Sequence, residues 1–191
     1  MRSRFIVSLC AALAVFLPQT SVFAKSPAAP MIVITSPSAL PAVHDRPRIF
    51  LGGSIDMGTA PNWQADMINA LAGEEVMILN PRRADWNKAW RPEAGEPNFR
   101  TQVEWELGAL DSADIIVLYF SPGSQSPISL LEMGLHARSG KLIILCPPGY
   151  WRKGNVDITA EKYRVEQVSS IDDLIAATKA RITKWRRDRN R

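Results

Sequence analysis

Histidine and cysteine are scarce in this 191-residue chain, which carries two of each: His44, His136, Cys10 and Cys146. That scarcity argues against a His/Cys metal centre, and no metal or organic cofactor is expected. No Gly-x-x-x-x-Gly-Lys-Ser/Thr sequence occurs, which excludes a P-loop. Gly52-Gly53-Ser54-Ile55-Asp56 lacks the final glycine of a nucleophile elbow, so Ser54 is a poor candidate for a hydrolase serine. There is no internal repeat, and no run beyond the N-terminal residues reads as a membrane span. With 46% hydrophobic and 22% charged residues, the composition excludes a disordered, collagen-like or disulfide-built chain.

The charge is unevenly placed. Against 19 acids stand 23 Lys and Arg, a net charge of +4. Arg2 and Arg4 lie in the first 24 residues, which hold no acid, and beyond Thr178 the tail holds seven basic residues against Asp188. The body between them is therefore slightly acidic. The basic balance belongs to the two ends, and nucleic acid is not expected as a partner. The tail reads as the solvated, partly frayed end of a last helix; contact with anionic lipid or nucleic acid is its sharper alternative.

The N-terminus has the order of a secretory signal peptide: Arg2 and Arg4, an uncharged apolar run from Phe5 to Leu17, then Val22-Phe23-Ala24 before a cut at Lys25. Leu9 precedes Cys10, where a lipoprotein site would need a small residue. The expectation is a soluble periplasmic or secreted protein, cleaved after Ala24, in which Cys146 is the sole thiol and no intrachain disulfide can form. Residues 25–46 are rich in Pro, Ala and Ser and read as a linker, though Met31–Ile34 could add an edge strand. Residues 47–191 read as one domain.

Within that domain short apolar runs alternate with amphipathic stretches. Strands are expected at Arg48–Leu51, Glu75–Leu79, Asp114–Phe120, Lys141–Cys146 and Tyr163–Val168. Helices are expected at Asn62–Leu71, from Asn98 or Phe99 to Leu110, from Ser126 to Ser139, and from Ile171 to about Arg187. Strands apolar throughout and separated by helices call for a parallel sheet covered on both faces. The fold class is α/β: a single three-layer, flavodoxin-like (Rossmann-like) domain of about five parallel strands, with ligands at the carboxyl ends of the strands.

Four segments converge on that edge. Gly52-Gly53-Ser54 lets backbone amides approach a ligand oxygen, or is a plain tight turn. Asn80-Pro81-Arg82-Arg83 brings two guanidiniums to hold an anion or a carboxylate, or is a solvated loop. Glu132 sits among apolar residues near the start of a helix, whose N-terminus would favour the ionised acid that a carboxylate nucleophile requires. Ser129-x-x-Glu132 also matches a capping box, and spacing leaves both readings open. Glu106, beside Trp105, is either a proton donor raised in pKa by an apolar ring or part of a solvated helix face. Trp63, Trp86, Trp90, Trp105 and Trp151 fall near the same edge in sequence, though each reads as core packing before base stacking. Cys146 reads as a buried apolar residue.

The ordered set Phe50-Leu-Gly-Gly-Ser-Ile55, Asn80-Pro-Arg-Arg83, Trp105-Glu106, Ser126-Pro-Ile-Ser-Leu-Leu-Glu-Met-Gly134 and Trp151-Arg-Lys-Gly-Asn-Val-Asp157 resembles the nucleoside 2-deoxyribosyltransferase-like family over about Arg48–Val168. The resemblance implies a flavodoxin-like sheet and attack of Glu132 on C1′ of a deoxyribose. It implies that Glu106 protonates the base or positions the ribose, and that Gly53 and Ser54 contact sugar or base. Two positions depart from the pattern. Classical transferases carry Asp where this chain has Ser126, whereas the related deoxynucleoside 5′-monophosphate N-hydrolases carry Ser there, near the phosphate. Phe50 replaces an aromatic hydroxyl.

The expected function is thus an exported enzyme that cleaves or transfers the N-glycosidic bond of a nucleoside or nucleotide. Glu132 and Glu106 are its catalytic residues, and Gly52, Gly53, Ser54, Asn80, Arg82 and Ser126 bind its substrate. A non-catalytic nucleotide-binding sensor and a glycohydrolase of NAD-like dinucleotides are the alternatives. The resemblance also implies a homo-oligomer.

Overall fold

The computed structural model describes residues 30–191. The signal-peptide segment, its cleavage point and Cys10 lie outside the described residues. The strands are β1 (Ile32–Thr35), β2 (Arg48–Gly53), β3 (Met77–Asn80), β4 (Ile115–Tyr119), β5 (Leu142–Leu145) and β6 (Glu166–Val168). They form one parallel sheet in the order β1-β3-β2-β4-β5-β6. Five helices accompany them: α1 (Trp63–Ala70), α2 (Pro97–Ser112), α3 (Pro127–His136), α4 (Lys153–Tyr163) and α5 (Ile171–Arg189).

Alternation along the strands sorts two cores. Phe50, Leu79, Ile116, Leu118 and Ile144 face α2, α3 and α4 through Trp105, Leu110, Met133, Val156 and Ala160. Ile49, Leu51, Ile78, Val117, Ile143 and Leu145 face α1 and α5 through Trp63, Met67, Leu71, Leu174 and Ile182. The central strands are buried on both faces, as their continuous apolar sequences require. This is the three-layer flavodoxin-like α/β arrangement.

Three elements differ from the sequence reading. The sheet has six strands rather than about five, because the edge strand left open at Met31–Ile34 forms over Ile32–Thr35 and pairs in register with Met77–Asn80. Residues 30–46, read from composition as linker, thus include a strand, and Arg46 bonds back across them to the Pro30 carbonyl at 2.8 Å. The strand expected over Tyr163–Val168 shrinks to Glu166–Val168, since α4 runs through Tyr163 and ends at Arg164 with a left-handed φ of 57°. α4 buries only Val156 and Ala160, too few positions to make a clear helical pattern.

The basic tail is helical to Arg189 rather than frayed. Ser170 caps the first turn of α5 by accepting from Asp173 N, Asp172 and Asp173 follow, and Arg186, Arg187 and Arg189 occupy the last turn. Acids first and bases last complement the helix dipole. Three of its arginines dock the helix: Arg181 on Glu166, Arg186 on Glu74, and Arg189 on the His44 carbonyl. No helix among the described residues is long and apolar enough to cross a membrane.

Candidate active site

At the carboxyl ends of β2, β3 and β4 lies a cavity of about 670 Å³. Gly52 and Gly53 form its floor, Pro81 to Ala84 and Trp86 one side, α2 a second and the start of α3 a third. Val103, Leu107, Leu110, Leu131 and Leu135 make much of the wall apolar, and three acids, Asp56, Glu106 and Glu132, stand out against them.

Glu132, in the second turn of α3, is 7% exposed and lines this cavity. Its Oε2 lies where a Cβ on Gly52 would come within 3.0 Å, so the acid rests directly on the glycine backbone. The capping box does not form, because α3 starts at Pro127, two residues before Ser129. The expectation that the helix N-terminus holds Glu132 ionised is also overturned. Burial, with the negative charge of Glu106 added to it, pushes its pKa up to about 8. Desolvation outweighs the dipole because the carboxylate has no hydrogen-bond donor among the described residues.

Glu106 enters the same cavity from α2. Burial raises its pKa, and the Gln102 amide, donating from Nε2 to Oε1 at 2.8 Å, pulls it back. Trp105 is not the cause. Its ring turns into the core, and Nε1 donates to the Ser38 carbonyl at 2.7 Å. Two acids of raised pKa in one cavity titrate as a pair and hold a single proton over an intermediate pH range.

The remaining predicted residues divide. Gly52, Gly53 and Ser126 line the cavity, whereas Ser54 and Asn80 do not. Ser54 is fully buried beneath Ser126. Its Oγ bonds the Ser126 and Ser124 hydroxyls at 2.6 and 2.8 Å and accepts from Ser121 N at 2.8 Å. Ser124 and Ser126 close the ring at 3.0 Å. This ring holds Ser126 at a left-handed φ of 39°, with its side chain turned away from a capping role. Ser54 therefore supports a cavity residue. Asn80 Oδ1 accepts from Arg82 N at 3.0 Å and shapes the loop.

Arg82 lines the cavity, yet its guanidinium is engaged elsewhere. It donates to the carbonyls of Pro61, Ala60 and Gly58 at 3.0, 3.0 and 3.4 Å and to Gln64 Oε1 at 3.2 Å. Those bonds pin the turn after β2 rather than present a free anion site. Arg83 pairs with Asp85 through two bonds and lies 5.0 Å from the Trp90 ring centre. Of the five tryptophans near this edge, only Trp86 lines the cavity; Trp63 is core and donates to the Ser54 carbonyl. Cys146 is buried, and burial pushes its thiol up to about 11, leaving it inert.

Two residues escaped the sequence reading. Ser129, read only as a possible capping residue and not as a site residue, is buried and lines the cavity, and its hydroxyl has no hydrogen-bond partner among the described residues. Gln102, which holds Glu106, has a sequence signal in hindsight: Gln and Glu four apart on one helix face. Among the described residues no three His, Cys, Asp or Glu gather as metal ligands.

A parallel α/β sheet that brings Glu106 and Glu132 to one cavity at its carboxyl edge is an arrangement able to enclose a small molecule and exchange protons with it. The chain belongs to the nucleoside 2-deoxyribosyltransferase-like family, whose model matches residues 46–150. Among solved structures it is similar in fold to a conserved protein from Enterococcus faecalis V583. That likeness has a TM-score of 0.53 and 14% identity, and covers 71% of this chain and 99% of the other. Comparison with curated proteins gives no match.

Proposed function

We propose that this protein breaks the N-glycosidic bond of a nucleoside or nucleotide, passing the sugar to water or to an acceptor base. The observation that carries the reading is the convergence of Glu132 and Glu106, from two different helices, on one cavity floored by Gly52 and Gly53. In the reactive form the pair's proton sits on Glu106. An ionised Glu132 oxygen attacks C1′ of the sugar while the C1′–N bond breaks, its electron pair leaving with the base. Glu106 gives that base its proton. Water or an incoming base then attacks C1′ of the glycosyl ester, Glu106 takes the proton back, and Glu132 is released as the carboxylate.

The apolar wall suits a nucleobase, and the buried Ser129 hydroxyl offers a polar contact at the start of α3. Export before action remains part of the proposal on the strength of residues 1–24, tested by fractionating cells that express the full chain. Ile128, Leu131 and Leu135 are all more than half exposed on one face of α3, in keeping with a homo-oligomer; a single monomer mass in sedimentation equilibrium rejects that part.

The decisive assay incubates the protein with labelled deoxynucleosides and their 5′-monophosphates, with and without an acceptor base. Base release or exchange that disappears in Glu132→Ala is expected. Turnover that survives that substitution overturns the role of Glu132, and binding without product favours a sensor.

A further inference from the structure

The Gln102 amide has its orientation dictated by groups whose roles cannot change. The Pro81 carbonyl can only accept and lies 3.1 Å from Nε2; the Arg83 guanidinium can only donate, and its Nη1 lies 3.5 Å from Oε1. With the amide so fixed, the Ser36 hydroxyl, 2.6 Å from Oε1, must be a donor. The second N–H of Nε2 is then delivered to Glu106 Oε1 at 2.8 Å. Ser36 and Gln102 are 5% and 4% exposed, so water competes little for these bonds. Ser36 follows β1 in the arm that precedes residues 46–150, the span the family accounts for.

We propose that Ser36 and Gln102 are positioning residues for Glu106, tying its Oε1 down as an acceptor so that Oε2 is the oxygen that gives and takes the proton. The chemical purpose rests on the glycosidic reading above, whereas the geometry stands without it. An N–H donor to a carboxylate favours the charged form and so opposes the burial of Glu106. The other charged groups around the cavity are Glu132 from α3, Asp56 from the turn after β2, and Arg82 and Arg83 from the loop after β3. Neither arginine substitutes for the amide, since Arg82 is bonded to backbone carbonyls and Gln64, and Arg83 to Asp85. The arm is thereby a working part of the site: β1 docks on β3, and its next residue sets the amide that sets the acid.

The test titrates Glu106 directly in the full chain, by carbon-13 NMR of labelled Glu side-chain carboxyls, with Glu106→Gln to assign the signal. In Gln102→Met, close in volume and without a donor, the Glu106 midpoint is expected to rise by about one pH unit. In Ser36→Ala it moves the same way by less, and Ser36→Thr, which keeps the hydroxyl, returns it toward the parent value. An unmoved midpoint in Gln102→Met overturns the proposal. An unmoved midpoint in Ser36→Ala, with Gln102→Met shifted, removes the arm from it. On a deoxynucleoside the same variants should lower kcat with little change in KM. Absence of base release from the parent protein would sink the glycosidic reading alone, leaving the titration to judge the positioning.

Discussion

Replacing Glu132 by Gln removes a proposed nucleophile and should also stabilise the fold near neutral pH. Glu132 has its pKa raised from an ordinary 4.5 to about 8. The folded protein therefore binds this proton more tightly than the unfolded chain does. Stability from that proton is fully present below about pH 4.5 and is lost as pH rises toward 8. At 1.36 kcal/mol per pH unit, the loss is about 3 kcal/mol at pH 7 and about 4 kcal/mol at pH 8. Gln at this position has no proton to lose, so the variant escapes the loss. For a domain of this size each kcal/mol moves Tm by roughly 2–4 °C, so a gain of about 6–12 °C is expected at pH 7. Thermal melts of both proteins from about pH 4 to pH 8 read this out. The two curves should meet at the acid end and separate as pH rises. Parallel curves, or a variant less stable at pH 8, would refute the argument that an unpartnered buried acid sits on Gly52.

Three further outcomes follow from the same geometry. Attack requires ionised Glu132 while base departure requires a proton on Glu106, so kcat/KM should rise as the pair loses its first proton and fall as the last is lost, at about pH 8; a pH–rate profile that keeps rising past that point contradicts the assignment. Gly52→Ala should lower stability by about 1–3 kcal/mol and nearly abolish turnover. Its Cβ would stand 2.7 Å from both Leu118 Cδ2 and Phe50 Cε1, and 3.0 Å from Glu132 Oε2; melting and activity assays measure the two effects. Arg82→Met should loosen residues 56–61 to proteolysis while raising KM for a nucleoside and its monophosphate by the same factor. A selective loss of the monophosphate would show that the guanidinium binds phosphate.

The parts of the fold legible in the sequence are those where burial alone decides. Ile49–Leu51, Ile115–Leu118 and Leu142–Leu145 are apolar without interruption because both faces are covered. β1 is harder to read, since Ile32 and Val33 are exposed at the sheet margin and prolines flank the strand. Glu132 was visible as an acid in apolar company, and its burial bears that placement out. Ser54 and Arg82 lie at the expected edge, but their polar groups are already engaged, Ser54 with the serines of its ring and Arg82 with backbone carbonyls and Gln64. Position along a strand tells how near a residue lies to a cavity, but not whether its donors are already engaged. The i, i+4 spacing of Gln102 and Glu106 is readable, but the serine that orients the amide lies 66 residues away and leaves no local signal.

β1 has one more consequence, for what happens at the outer side of β3. Without residues 32–35, the backbone N–H and C=O groups of Met77–Asn80 would form an open margin on a strand whose Met77, Ile78 and Leu79 are buried. Such a margin is a template for pairing with another chain. β1 takes that place with only four residues, bounded by Pro30 and Pro37, so the margin it presents in turn is short and interrupted. The arm that brings Ser36 to Gln102 is thus also the cover of the outer edge of β3.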